Sequence, residues 1–209
     1  MHNIFLSAIL SASLLLSSQP VIISPIAGRA GELAAPPKEV LAEGVLDLSS
    51  RNPNKSINEG FKENILVNLG YLYKDRDRLI LQPGEVFAFH KNIHPDFKDA
   101  VIVTQESEYR SSEGYKPVAG LYGNGVCHLA TLMNYAASQA GLEVMAMVSH
   151  DFAPVPGIDR KYGTSIKFYP NIGGTSERQN LYIRNTKDSP VEFKFSQEGD
   201  LLKLAIIKN

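Results

Sequence analysis

The chain has 209 residues, 44% of them hydrophobic, and 21 basic side chains stand against 22 acidic ones for a formal net charge of -1. That is enough apolar material for one main domain with a buried core, and it leaves no overall basic field to gather nucleic acid or anionic lipid. A single cysteine excludes an internal disulfide framework and any paired-cysteine zinc or redox motif, so the lone thiol has to be judged by its surroundings.

Residues 1–30 open with an apolar stretch from Ile4 to Leu16 followed by Ser, Gln and Pro, the length and punctuation of a secretory signal peptide. Small residues around Ala27 and Ala30 offer cleavage sites. The segment lacks an early Lys or Arg, and an uncleaved N-terminal anchor over Ile4 to Ala27, interrupted by Gln19, Pro20 and Pro25, is the alternative. Both readings place the remainder outside the cytoplasm, as a secreted, periplasmic or membrane-anchored protein that meets the membrane only through this segment. Residues 31–58, rich in Ala, Pro, Ser and Asn with no sustained period, read as a flexible linker.

Phe61, Ile65, Leu69 and Leu72 then recur at helical intervals behind Asn58, which is expected as the N-cap. The charge run at 74–78 is a solvated turn, since it lacks the glycine and downstream Glu of a calcium loop. "LILQPGEVFAFH" reads as strand, Pro-Gly turn and strand. His90 and His94 lie four apart, but Pro95 argues against a shared helix face, so they are expected at the surface and not as a metal pair. "AVIVTQE" is a short strand, followed by a long polar, Gly-containing approach to the cysteine.

Val126, Leu129, Ala130, Met133, Ala136, Ala137 and Ala140 follow the helical period until Gly141, a C-terminal stop. Beyond it, "LEVMAMVSH", "YGTSIKFYP", "QNLYIRNT", "SPVEFKFSQ" and "LLKLAIIKN" are strand-like, with "EGD" at a hairpin turn. The expected class is α+β: helices packed on a mostly antiparallel sheet, with a buried or half-buried helix starting at the Cys127 turn and a folded domain over 59–209.

Cys127 falls in the first turn of that helix, where unpaired backbone N–H groups and the positive end of the dipole favour an anion and can lower a thiol pKa from about 8.5. Gly123, Asn124 and Gly125 precede it, and glycines let backbone amides converge on an oxyanion. A nucleophile needs a base. His128 is adjacent in sequence but points roughly 100° away along the helix, whereas His150, at the end of a strand-like segment, is the preferred candidate. Asp151 and Asp159 are candidates for orienting its imidazole, and Tyr115, Tyr122 and Tyr162 for lining a cleft. The competing reading makes Cys127 a small apolar plug, since free cysteines are among the most buried residues. A third, with Cys127, His128 and His150 as metal ligands, lacks a fourth ligand in the local sequence.

"GNGVCHLATLMNYAASQAGLEV", preceded by "LQPGEVFAFH" and an upstream "ENI" and followed by "SHDFAPVP", resembles the VanW family of bacterial cell-envelope proteins over roughly Phe61 to Phe195. The resemblance implies a role on peptidoglycan, some members being understood as L,D-transpeptidases that join stem peptides through a cysteine. Carried over by position, Cys127 matches the family's cysteine and His150 its histidine, with Gly123, Asn124, Gly125 and His128 as substrate-binding positions, no cofactor, and stem peptides as partners. The chain departs from the family in Asn124, where a glycine is usual, in His128, where Gln is usual, and in "RKYGTSI", which lacks an acidic residue expected before the small residue and Thr. A non-catalytic wall-binding or partner-binding module with a structural cysteine is the alternative function.

Overall fold

A computed structural model describes residues 38–74, 76–103, 105–150, 154–169 and 175–209. The expected signal or anchor over 1–30 lies outside them. In chain order the elements are β1 (Glu39–Asp47), α1 (Lys55–Tyr73), β2 (Leu79–Leu81), β3 (Val86–Ala88), β4 (Val101–Val103), β5 (Pro117–Val118), β6 (Leu121–Tyr122), α2 (Val126–Gln139), β7 (Glu143–Met145), α3 (Thr175–Arg178), β8 (Tyr182–Arg184), β9 (Val191–Glu198) and β10 (Leu201–Lys208).

Among the described residues the strands form one fully antiparallel sheet in the order β1-β10-β9-β2, a second in the order β4-β3-β8-β7 in which β3 and β4 pair in parallel, and the small β5-β6 hairpin. The α+β class with mainly antiparallel pairing is as the sequence leads one to expect. β10 shows why the first sheet has one wet face: Leu202, Leu204 and Ile206 are buried while Leu201 and Lys203 are exposed, the period of two that a half-covered strand requires.

α2 covers that sheet. Leu129, Ala130, Leu132, Met133, Ala136 and Ala137 are completely buried, and the helix lies against β1 and β10. Its alanines allow close approach, and so does Gly44 of β1: a Cβ there would sit 2.7 Å from Leu132 Cδ1. Gly141, at φ 69°, ends the helix, with its N–H donating to Ser138 O and the Leu142 N–H to Ala137 O. Among the described residues no helix is long and apolar enough to cross a membrane.

Several expectations need correction. The linker expected over 31–58 is not a tether from Glu39 onward: β1 pairs with β10 along its length, and Leu46 and Leu48 are core residues. Alanine-rich and polar composition concealed a strand whose partner arrives only at the far end of the sequence. α1 starts earlier than expected, capped by Asn54, whose Oδ1 accepts the Ile57 N–H at 3.2 Å. Asn58 lies inside the helix and binds the preceding loop instead, accepting the N–H groups of Arg51 at 2.6 Å and Asn52 at 3.0 Å.

The strand, Pro-Gly turn and strand expected of "LILQPGEVFAFH" are present as β2 and β3, and the Pro83-Gly84 turn passes the chain from the first sheet to the second. His90 is fully buried, not at the surface: its Nε2 lies 3.0 Å from Gln179 O and its ring meets the Phe168 edge. Only Glu143–Met145 of "LEVMAMVSH" is strand. Of "YGTSIKFYP", residues 163–169 belong to no strand ladder, and they are tied through the Ser165 N–H to Val148 O and the Lys167 N–H to Gln179 O, each 2.9 Å.

Candidate thiol site

The glycine turn before α2 is shaped by its neighbours. Gly125 is the N-cap in a left-handed conformation, φ 103°, and a Cβ there would lie 2.8 Å from Phe61 O and 2.9 Å from Phe61 Cα on α1. Gly123, φ 77°, supports the ring of Tyr109 at about van der Waals limit, 3.0 Å from its Cδ1 to the position a Cβ would take. Asn124 is pinned from both sides: its Nδ2 donates to Val118 O at 2.7 Å, and its carbonyl accepts from Asn64 Nδ2 at 2.9 Å. Asn64, completely buried on α1, also accepts the Lys116 N–H at 2.7 Å and donates to Lys116 O at 3.1 Å. α1 therefore sets the backbone that delivers Cys127.

Cys127 is partly exposed as a residue, but its thiol is enclosed by protein. The Ile166 N–H donates to Sγ at 3.4 Å, and the thiol donates weakly to Ile166 O at 3.7 Å. One turn further along α2, Thr131 Oγ1 accepts the Thr164 N–H at 3.2 Å, and Asn134 Nδ2 donates to Tyr162 O at 3.0 Å and Thr164 Oγ1 at 3.1 Å. One stripe of α2 thus hydrogen-bonds the segment 162–166, and Cys127 is its first member.

The expected depression of the thiol pKa is corrected. Burial pushes it above the ordinary value, outweighing the amides of Ile166 and of Cys127 itself, which favour the thiolate. The expected amide pocket from Asn124 to Cys127 is also narrower than supposed, because the Val126 N–H is used by Gly123 O at 3.2 Å.

His128, expected among the substrate-binding positions, is buried. It is 2% exposed, its ring stands edge-on to Phe61 at 5.7 Å, and its buried Nδ1 has no hydrogen-bond partner among the described residues. Burial first, and then the charges of Arg51 and His150, bring its pKa down to about 3, so it is a neutral imidazole. His150 borders a small depression with Thr131, Val155, Ile158, Asp159 and Gly163, on the α2 face one turn from Cys127. The Sγ bonds given above go to Ile166, not to this imidazole. Gly163 permits the close passage there, since a Cβ would sit 3.0 Å from His150 O.

Asp159 borders the same depression and accepts the Lys161 N–H at 3.0 Å, while Asp151 lies outside the described residues. Of the three tyrosines, Tyr115 is core, Tyr122 is exposed, and Tyr162 packs edge-on to Tyr135 at 5.3 Å. Among the described residues no group of three or more His, Cys, Asp or Glu side chains could hold a metal ion.

Sequence reasoning missed Ile166, Tyr109, Asn64 and Arg51. Ile166 acts through its backbone, which leaves no side-chain signature. Tyr109 sits at φ 58°, a left-handed conformation that a bulky residue rarely adopts, and no sequence pattern announces it.

No curated protein and no solved structure matches the chain. The family described as "VanW like protein" matches residues 64–207, a span that includes α2, the thiol and the extended segment facing it. That is well over half of the sequence, and the protein belongs to the VanW-like family.

Proposed function

We propose that this is an extracytoplasmic cell-envelope protein that performs cysteine-dependent acyl transfer on peptidoglycan stem peptides, in the manner of an L,D-transpeptidase. The observation that carries the reading is the sulfur of Cys127 in the first turn of α2, with the amides of Ile166 and Cys127 directed at it. Family membership supports the substrate class.

In this reaction the resting thiol is protonated, and substrate binding has to accompany proton removal. His150 takes the proton from Sγ as Sγ bonds to the carbonyl carbon of the donor stem. The free amides of the glycine turn face the developing oxyanion, the C–N bond breaks, and the departing amine takes the proton from His150. An acceptor amine then attacks the thioester, surrendering a proton to His150 and regenerating the thiol. His128, buried behind the turn, shapes it rather than contacting substrate.

Purified protein incubated with disaccharide tetrapeptides should yield cross-linked dimers by mass spectrometry, and Cys127→Ala should lower their rate by at least about a hundredfold. Equal dimer yields from both proteins would remove the proposal. A second reading, a wall-binding module with a structural cysteine, is favoured by the fact that both sulfur hydrogen bonds serve Ile166. It predicts stem-peptide binding without turnover.

A further inference from the structure

β1 stands at one end of the sheet order β1-β10-β9-β2 and runs nine residues, whereas the edge strands β2, β4 and β7 have three each. One side of it pairs with β10. On the other side, among the described residues, the backbone N–H and C=O groups of Ala42–Leu46 that point away from β10 have no partner. The register irregularity between Val40 and Ala42 lies before this stretch, so Ala42–Leu46 presents an unbroken ladder edge.

The surroundings of the edge say what it takes. A groove of about 300 Å³ runs beside Glu43, Gly44 and Val45, walled by Tyr135 of α2 and by Pro156, Gly157 and Ile158. Gly44 carries no side chain between the strand and the Tyr135 ring. Gly44 and Leu46 face the core, so Glu43 and Val45 alternate to the opposite face, where Glu43 is exposed and Val45 is 44% exposed. Neither Glu39 nor Glu43 has an ion pair among the described residues. A second copy of this chain is a poor occupant: antiparallel self-pairing about Glu43 sets Glu43 against Glu43 and Glu39 against Asp47.

We propose that Ala42–Leu46 is a docking edge for an extended segment of another protein, which adds to the first sheet as an antiparallel strand. An apolar side chain lies opposite Gly44 and enters the groove, a second covers Val45, and a basic one meets Glu43. The backbone ladder supplies affinity, and the groove and the carboxylate supply selectivity. Ile158 also borders the depression beside His150, so the docked strand shares a wall with that site. The inference goes beyond the acyl-transfer reading and stands whether or not the thiol turns over.

The test uses the full chain and the fluorescein-labelled, amidated peptide Thr-Thr-Val-Leu-Lys-Thr-Thr, read by fluorescence anisotropy, together with amide hydrogen exchange of β1. Saturable binding is expected below about 1 mM, with the outward amides of Ala42–Leu46 exchanging fast in the free protein and slowed by the peptide. Glu43→Lys is expected to weaken binding about tenfold, an attraction lost and a repulsion gained across one strand pair, and the peptide with Glu in place of Lys to recover it on that variant alone. N-methylation of one alternating set of peptide amides is expected to abolish binding, and of the other set to be tolerated.

Absence of saturable binding, or binding indifferent to Glu43→Lys or to both N-methylated sets, overturns the proposal. So does protection of the outward amides in the free protein: sedimentation would then assign the edge to a second copy if the protein is a dimer, or to the chain's own residues if it is a monomer.

Discussion

The backbone of Ile166 meets the sulfur of Cys127 with both of its polar groups, the N–H at 3.4 Å and the carbonyl at 3.7 Å. One residue therefore serves the thiolate as donor and the thiol as acceptor. Because burial outweighs the donors, the resting state is the thiol.

Alkylation of the wild-type protein is accordingly expected to have its midpoint above that of an ordinary cysteine, about 8.5, with slow labelling at neutral pH. Titrating the labelling rate against pH checks this. A midpoint below that value would mean that the helix terminus and the amides prevail over desolvation.

Gly125→Ala forces a side chain onto the backbone of Phe61 at a left-handed φ. The expected loss is ~3 kcal/mol in urea unfolding, combining backbone strain and overpacking. Gly70, where a Cβ would meet nothing within 4 Å, is the matched control and should tolerate Ala with a small gain in helix stability.

Asn64→Ala removes three hydrogen bonds that join α1 to Lys116 and Asn124. Leaving those backbone groups unpaired should cost about 2–4 kcal/mol. The same change should quicken Cys127 alkylation at fixed pH, since the turn in front of the thiol loses its anchor. Unchanged stability and labelling would show that the loop is held by other means.

Acid should weaken the fold in two stages. His128 and His90 have pKa values lowered from 6.5 to about 3 and about 4 by burial. Below pH 6.5 the unfolded chain binds protons that the folded protein refuses, so stability falls by up to ~1.4 kcal/mol per pH unit for each group until its folded pKa is reached. Glu192, lowered from 4.5 to about 2 chiefly by its hydrogen bond to Arg78 and then by Lys38, adds stability above pH 4.5 that is lost between 4.5 and 2.

Glu192→Gln should cost about 1–2 kcal/mol at pH 7, discounted because Lys38 and Arg78 are half exposed, and should cost nothing near pH 2. Urea unfolding across pH 7 to 4 measures the histidine stage. A stability curve flat from pH 7 to 5 would contradict it.

What the sequence made legible was local. The 3.6-residue period of α2 and its Gly141 stop, and the strands β9 and β10 joined by a turn at Gly199, depend on neighbours in the chain, and they stand as expected. The placement of Cys127 in a first helical turn was equally legible.

What distant contacts decide was hidden. β1 has weak strand composition and exists because β10 pairs with it. His90 is buried because Phe168 and Gln179 enclose it. The thiol's ionisation reversed the expectation because local dipoles were visible in the spacing, whereas the desolvation supplied by the surrounding chain was not.

The central place of β10 has a consequence for biogenesis. A chain emerging N-terminus first carries β1 and β9 with open edges until Leu201–Lys208 arrive to pair with both. Before then the sheet that α2 packs against lacks the strand that joins β1 to β9, so both edges have to be kept from pairing elsewhere. Loss of the last strand would leave two sticky edges rather than a trimmed domain.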